Sequence, residues 1–351
     1  MSSISRNYVM IDLLQLQRIS TKKSRITLII LTLILVIIIL TSLASGNFSI
    51  SFSDIREGLS PLQQQILFDL RFPRIMTAIL VGSALAVAGC ILQVLLANSL
   101  AEPGIIGISS FASLFAVLSI VLLDQALPGF GWLQPYVLPL SAFTGACLVT
   151  FLLYRVTKNN LATTKILLLG VAIGIFSGAI MTWLLYFSDD SNMRQMLYWM
   201  MGNLAYGSDL IYIAIPPLGL SFVWIMRRID ALNLLQFGEQ SAFQAGIDVS
   251  QLRIQLIVCV AMLTGISVSM AGVISFIGLV IPHILRILVT SQLRFLVPAS
   301  ALLGASFLLL ADLIARNMFA TAELPVGAIT ASLGSPFFIY LLLRKPTCVN
   351  E

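Results

Sequence analysis

The 351-residue chain is 58% hydrophobic and only 10% charged, whereas soluble domains carry about 25% charged residues. That balance excludes a soluble globular protein, and a net charge of +5 spread along a membrane chain gives no support to a nucleic-acid partner. The four cysteines (Cys90, Cys147, Cys259, Cys348) lie far apart with no C-x-x-C, and the one histidine, His283, has no partner ligands, so neither a disulfide framework nor a metal site is indicated.

Uncharged runs long enough to cross a bilayer, roughly 17 to 25 residues each, recur from end to end and predict an all-α polytopic membrane protein. Residues 1–25 are largely polar and basic and read as a cytoplasmic segment. The apolar run from Ile26 to about Ala44 is longer than the 7–15 residues of a signal-peptide core, so it reads as a retained first span. Punctuation by turn residues and charges places further spans near 75–97, 105–123, 136–154, 166–187, 209–226, 254–273, 274–290, 297–314 and 327–343. That makes about ten transmembrane helices in a single membrane domain, 26–345, with 346–351 as a cytoplasmic tail. The seventh and eighth spans are the least clearly divided, because "SMAGVISFIGLVIPHILR" has no polar break. Gly272, Gly278 and Pro282 are where such a run would turn or kink.

Lys and Arg set the orientation. With the N-terminus inside, fifteen of the 20 fall in the cytoplasmic segments, while Arg56, Arg71, Arg74, Arg194 and Arg316 remain outside. Both termini are therefore expected in the cytoplasm.

The chain has no G-x-x-x-x-G-K-[ST] and no H-E-x-x-H, so neither a P-loop nor a zinc-protease site is expected, and no catalytic residue is assigned. A Ser/His pair between "GISS" and His283 has nothing in the sequence to bring it together. The spans are almost bare of the ionisable groups that ion-coupled carriers need. Asp312 stands four residues before Arg316, the spacing at which the carboxylate would orient the guanidinium, and Glu323 follows in "TAELPVG". Arg71 and Arg74 flank Pro73 on the outer face, suited equally to headgroup contact and to pairing with a partner's carboxylates. On the inner side, "LLQFGEQSAFQAGIDVSQLR" (234–253) mixes apolar Leu235, Phe237, Ala242, Phe243 and Ala245 with polar residues. Gly238 and Gly246 bracket a short helix there, whose apolar side needs a peripheral subunit or the lipid headgroup region. Between the second and third spans, "ANSLAEPGIIGISS" (97–110) gathers Asn98, Glu102, Pro103, Gly104 and Gly107, which break helices and avoid lipid.

The glycine bracket around Glu239 and Ala242 resembles the coupling segment of ABC importer permeases. "LRFPRIMTAILVGSALAVAG", "LAEPGIIGIS", "LLLGVAIG", "FIGLVIPHILR" and "ELPVGAITASLGSPFFIYLL" resemble, in the expected order and from about Leu70 onward, the iron–siderophore and vitamin B12 permeases, the ten-span type II ABC importers. Within that family, "MTWLLYF" followed by "RQMLYWMMG" is most similar to the cobalamin members, although siderophore members share W-x-x-G there.

The resemblance implies a homodimer joined to two cytoplasmic ATPase subunits and a periplasmic substrate-binding protein in a bacterial inner membrane. ATP and Mg would sit on the ATPase partner, and this chain would carry no cofactor. It further implies docking of the binding protein at Arg71, Arg74 and Arg316. ATPase coupling would fall to Gly238, Glu239, Ala242 and Gly246. The inner gate would be built from Asn98 and Leu100, with Ala162, Thr163 and Leu168 as a second constriction, and the pathway would be lined mainly by the fifth span and "SNMRQMLYWMMG". Two departures stand out: the family usually has Asn-Pro at Asn98-Ser99, and Ala162 stands where a cobalamin permease has Ser. A ferric-siderophore or haem permease of the same architecture is the near alternative, and an ion-coupled secondary transporter the alternative from another class.

Overall fold

The computed structural model describes residues 3–46, 56, 58–122, 134–157, 163–319 and 323–343. Among them every regular element is a helix. Six helices are long and apolar enough to cross a membrane, and four shorter apolar helices accompany them, in keeping with the ten spans expected.

The first helix, α1 (Ser3–Ala44), is 42 residues long and runs from the segment read as cytoplasmic into the first span. Helix α2 (Pro61–Leu95) also begins earlier than the apolar run suggests. Ser60 caps it, accepting from the Gln63 N–H, while the Gln63 side chain accepts from the Ser60 N–H; Pro61 fits the first turn, where no N–H is needed. A π-helical stretch, Ile66–Arg71, joins this turn to the apolar part. Helices α3 (Ile108–Leu122), α4 (Gln134–Thr157) and α5 (Thr163–Phe187) follow. A short α6 (Asp190–Met200), capped by Asp189, and a 3-10 stretch (Leu204–Leu210) lead to α7 (Ile211–Arg227). Two short helices, α8 (Ile229–Gln236) and α9 (Glu239–Gln244), precede α10 (Val249–Ala271), α11 (Ile277–Leu288), α12 (Leu293–Asn317) and α13 (Val326–Leu343).

Helix α2 is the hub. It packs on α12, α10 and α11, while α3 joins α4 and α5, and α1 lies against α12. Small residues allow the closest approaches, since helices in lipid associate by packing rather than by hydrophobic exclusion. A Cβ on Gly82 would lie 2.4 Å from the Gly304 carbonyl oxygen, and one on Gly89 would run into the backbone of Gly278. No larger residue fits at either crossing.

The long apolar run after Arg253 is divided at 272–276. Gly272 leaves α10 at φ +67, a region open to glycine, and the chain then runs without helix until Phe276, which enters α11 at φ +70. Helix α11 has 12 residues, about 18 Å at 1.5 Å per residue, so it is a half-span. Its first turn meets α2 at Gly89, well along α2 from its Pro61 end.

Candidate functional site

Three regions hold the residues singled out in the sequence. The first is at the Arg74 end of α2. Asp312, fully buried, lies between two guanidinium groups: Arg74 Nε is 2.8 Å from Oδ1 and Arg316 Nε 3.0 Å from Oδ2. Arg74 Nη1 also donates to Glu323 Oε2 at 2.9 Å. Arg316 Nη2 donates to Ser42 Oγ of α1 at 2.6 Å, and Arg71 Nη1 to the Leu43 carbonyl at 2.5 Å. The i, i+4 spacing had pointed to the Asp312–Arg316 pair. Arg74 joining it from 238 residues away carries no local signal. The three arginines do converge, but as largely buried groups with partners inside the chain rather than as an open basic surface. Charges this deep are found paired because desolvation must be compensated.

The second region is the other end of the bundle. Helix α9 stands between Gly238 (φ +106) and Gly246 (φ +81). The apolar residues on and before it divide: Leu235 of α8 and Ala242 are buried, whereas Phe237, between the two helices, and Phe243 are 78% and 75% exposed. Glu239 reaches Arg253 of α10 at 2.5 Å, which fixes the helix to the bundle. Two exposed phenylalanines beside a rigid short helix make a surface suited to a groove on another subunit.

The third region is the 97–107 loop. Ala97 adopts a left-handed turn (φ +45), the Asn98 N–H donates to the Gln93 carbonyl, and Asn98 Oδ1 accepts the Leu100 N–H at 2.9 Å. Leu100 is left exposed, as is Leu168 near the start of α5. Ala162 lies outside the described residues, and so does the side chain of Thr163. After Leu100 the loop turns back into the bundle, where Ala101 and Ile106 are buried and Gly107 meets Gly170 of α5. Irregular backbone at such depth is tolerated where protein or a cavity surrounds it, and both do here. A cavity of about 360 Å³ adjoins the loop, lined among others by Glu102, Ser109, Ser110, Ser113, Met181, Met200 and Ser275. His283 is not among its lining residues, so no Ser/His pair is formed in that cavity. The carboxylate of Glu102 was passed over in the sequence, where it read as one more residue avoiding lipid.

Among the described residues no group of three or more His, Cys, Asp or Glu side chains could hold a metal ion. Cys90 is buried, Cys259 half-buried and Cys147 exposed.

The architecture is a helical membrane domain with broken helices and a loop that turns back into the bundle beside a mainly apolar cavity with serines and Glu102 in its lining. The chain belongs to the FecCD transport family, whose pattern it matches over residues 34–344. It is 41% identical over 339 residues to the vitamin B12 import system permease protein BtuC of Vibrio vulnificus, covering 95% of this chain and 98% of that one. Identity to BtuC of Klebsiella pneumoniae is 43% over 338 residues, with the same coverage. Among solved structures, an inward-facing conformation of a transporter assigned to the metal-chelate ABC type superposes with a TM-score of 0.79. The two sequences are 31% identical, and the match covers 90% of this chain and 98% of that one. The chain is thus a permease of the ABC importer type.

Proposed function

We propose that the chain moves vitamin B12 from the periplasm to the cytoplasm as one of two identical permease subunits, with ATP and Mg bound by two separate cytoplasmic ATPase subunits and no cofactor of its own. The observation that carries this reading is identity of 41–44% over most of the chain to vitamin B12 import permeases. The membrane would be the bacterial inner membrane, with both termini cytoplasmic, as the Lys/Arg distribution suggests.

In this reading the Arg74 end faces the periplasm. Arg71, Arg74 and Arg316 would meet carboxylates of a binding protein, with Glu323, 59% exposed, as the member of the cluster that gives way. At the cytoplasmic end Gly238, Glu239, Ala242 and Gly246 would seat on the ATPase, with Phe237 and Phe243 as apolar anchors. Asn98 and Leu100, with Ala162, Thr163 and Leu168, would close the pathway until the ATPase changes state. No covalent chemistry on this chain is required.

The test is uptake of labelled cobalamin by cells lacking this chain and by the same cells with it restored, with a ferric siderophore in parallel. Cobalamin uptake should return with the chain while siderophore uptake is indifferent to it. Return of siderophore uptake alone would favour the second reading, a metal-chelate permease, for which the likeness to the metal-chelate type structure speaks.

A further inference from the structure

The loop assigned to the inner gate carries one carboxylate, and its hydrogen bond is to the half-helix. Glu102 Oε1 accepts the backbone N–H of Phe276 at 2.6 Å. Phe276 precedes α11 with a left-handed φ of +70, a conformation a bulky residue keeps only where its surroundings hold it. A carboxylate at a helix N-terminus is favoured by the helix dipole and by the N–H groups left unpaired there. Around this bond the packing is close: Gly89 and Pro103 press on Gly278, and Gln93 Nε2 donates to the Leu279 carbonyl at 3.2 Å. The serine-containing cavity that the loop lines together with Val273, Ile274, Ser275 and Gly278 leaves room for movement.

The chain is tied again where it enters α12, with four residues separating it from the end of α11. Leu293, where the chain enters α12, donates its N–H to Asn233 Oδ1 of α8 at 3.0 Å, and Arg294 pairs with Asp230 of α8 at 3.5 Å. Helix α8 continues through Gly238 into α9. A contiguous run of packed helices and hydrogen bonds, passing through the start of α12 to α11, therefore joins the segment assigned to the ATPase to the loop assigned to the gate, which is the physical requirement for coupling between distant sites.

We propose that Glu102 is a positioning residue that latches the 97–107 loop to the start of α11. Helix α11, packed on α12, whose first residue bonds to Asn233 of α8, then carries displacement of the 234–253 segment to the gate. The inference rests on the gate and coupling assignments made above.

The experiment uses the full chain assembled with its ATPase in lipid nanodiscs, with the four native cysteines replaced by serine and Leu100→Cys as reporter. The readout is the rate of labelling by a membrane-impermeant maleimide with and without ATP. The parent should change its rate by about fivefold or more with ATP, the size of a modest coupling free energy. Glu102→Gln, whose amide oxygen still reaches the Phe276 N–H, should keep that response. Glu102→Asp, which keeps the charge but is one methylene too short, should lose it, as should Glu102→Ala. Should Glu102→Ala fail to co-purify with the ATPase, the Gln and Asp pair decides alone. A Glu102→Asp protein that responds like the parent overturns the latch. Asn233→Ala should also lose the response, and a full response there overturns transmission from α8 through the start of α12 to α11. A parent with no ATP-dependent change overturns the gate assignment itself and the latch with it, a failure distinct from the others.

Discussion

Asp312 shares its two oxygens between Arg74 and Arg316, and no part of it reaches the surface. Without it, two guanidinium groups of like sign would face each other across α2 and α12. Breaking a buried ion pair by deleting one partner costs about 3–5 kcal/mol, because a charge is left uncompensated. An exposed pair such as Arg74–Glu323 contributes about 0–1 kcal/mol. Asp312→Ala should therefore lower the thermal unfolding midpoint of the detergent-solubilised protein clearly, and Glu323→Ala should barely move it. Equal shifts in the two variants would show that Asp312 does not hold this end of the bundle together.

At the scale of elements, the crossings of α2 depend on glycine. The Gly89 site has no space for a Cβ, which would overlap Gly278, whereas a Cβ on Gly219 of α7 would meet nothing within 4 Å. Gly89→Val should abolish recovery of folded permease in detergent. Gly219→Ala should leave stability unchanged or raised by about 0.5 kcal/mol, since alanine favours helix over glycine. Comparable recovery of the two, judged by size-exclusion profile, would mean that the α2–α11 crossing is less intimate than it looks. These crossings also mark how far the sequence could be read. Apolar runs and punctuation located ten helices, and the Gly238–Gly246 bracket located α9, because both signals are local. The start of α2 was missed because an apolar run records lipid contact while Ser60 and Pro61 record the helix end. The depth of the 272–276 break was missed because hydropathy does not distinguish a half-span from a turn. Glu102 was missed as a bonding group because its partner lies 174 residues away, and no spacing rule reaches that far.

On the scale of the whole molecule, α5 is, after α1, the long apolar helix least covered by the rest of the chain. Only 28% of its apolar window is buried, against 78% for the windows in α2 and α10. The buried residues Ile166, Gly170, Ile173, Ser177 and Met181 form a single stripe at helical spacing, turned toward α3. At 100° per residue the remaining surface has two flanks, with the exposed Leu168, Ile175 and Tyr186 between them. One carries Gly174, Gly178 and Thr182. The other carries Phe176, Trp183 and Phe187, three aromatic side chains each at least 60% exposed. A surface facing lipid favours bulky apolar groups, whereas a surface facing water or a second copy tolerates hydroxyls and bare backbone. In the proposed two-copy assembly the stripe of small residues would line the pathway, and the aromatic stripe would meet lipid. Cysteines placed singly at Gly178 and Thr182 should react with a membrane-impermeant maleimide and be protected by bound substrate, while those at Phe176 and Trp183 should stay unreactive. The reverse pattern would turn the permease around its own axis and move the pathway to the aromatic side. Reactivity at neither stripe would place both in lipid and remove α5 from the pathway.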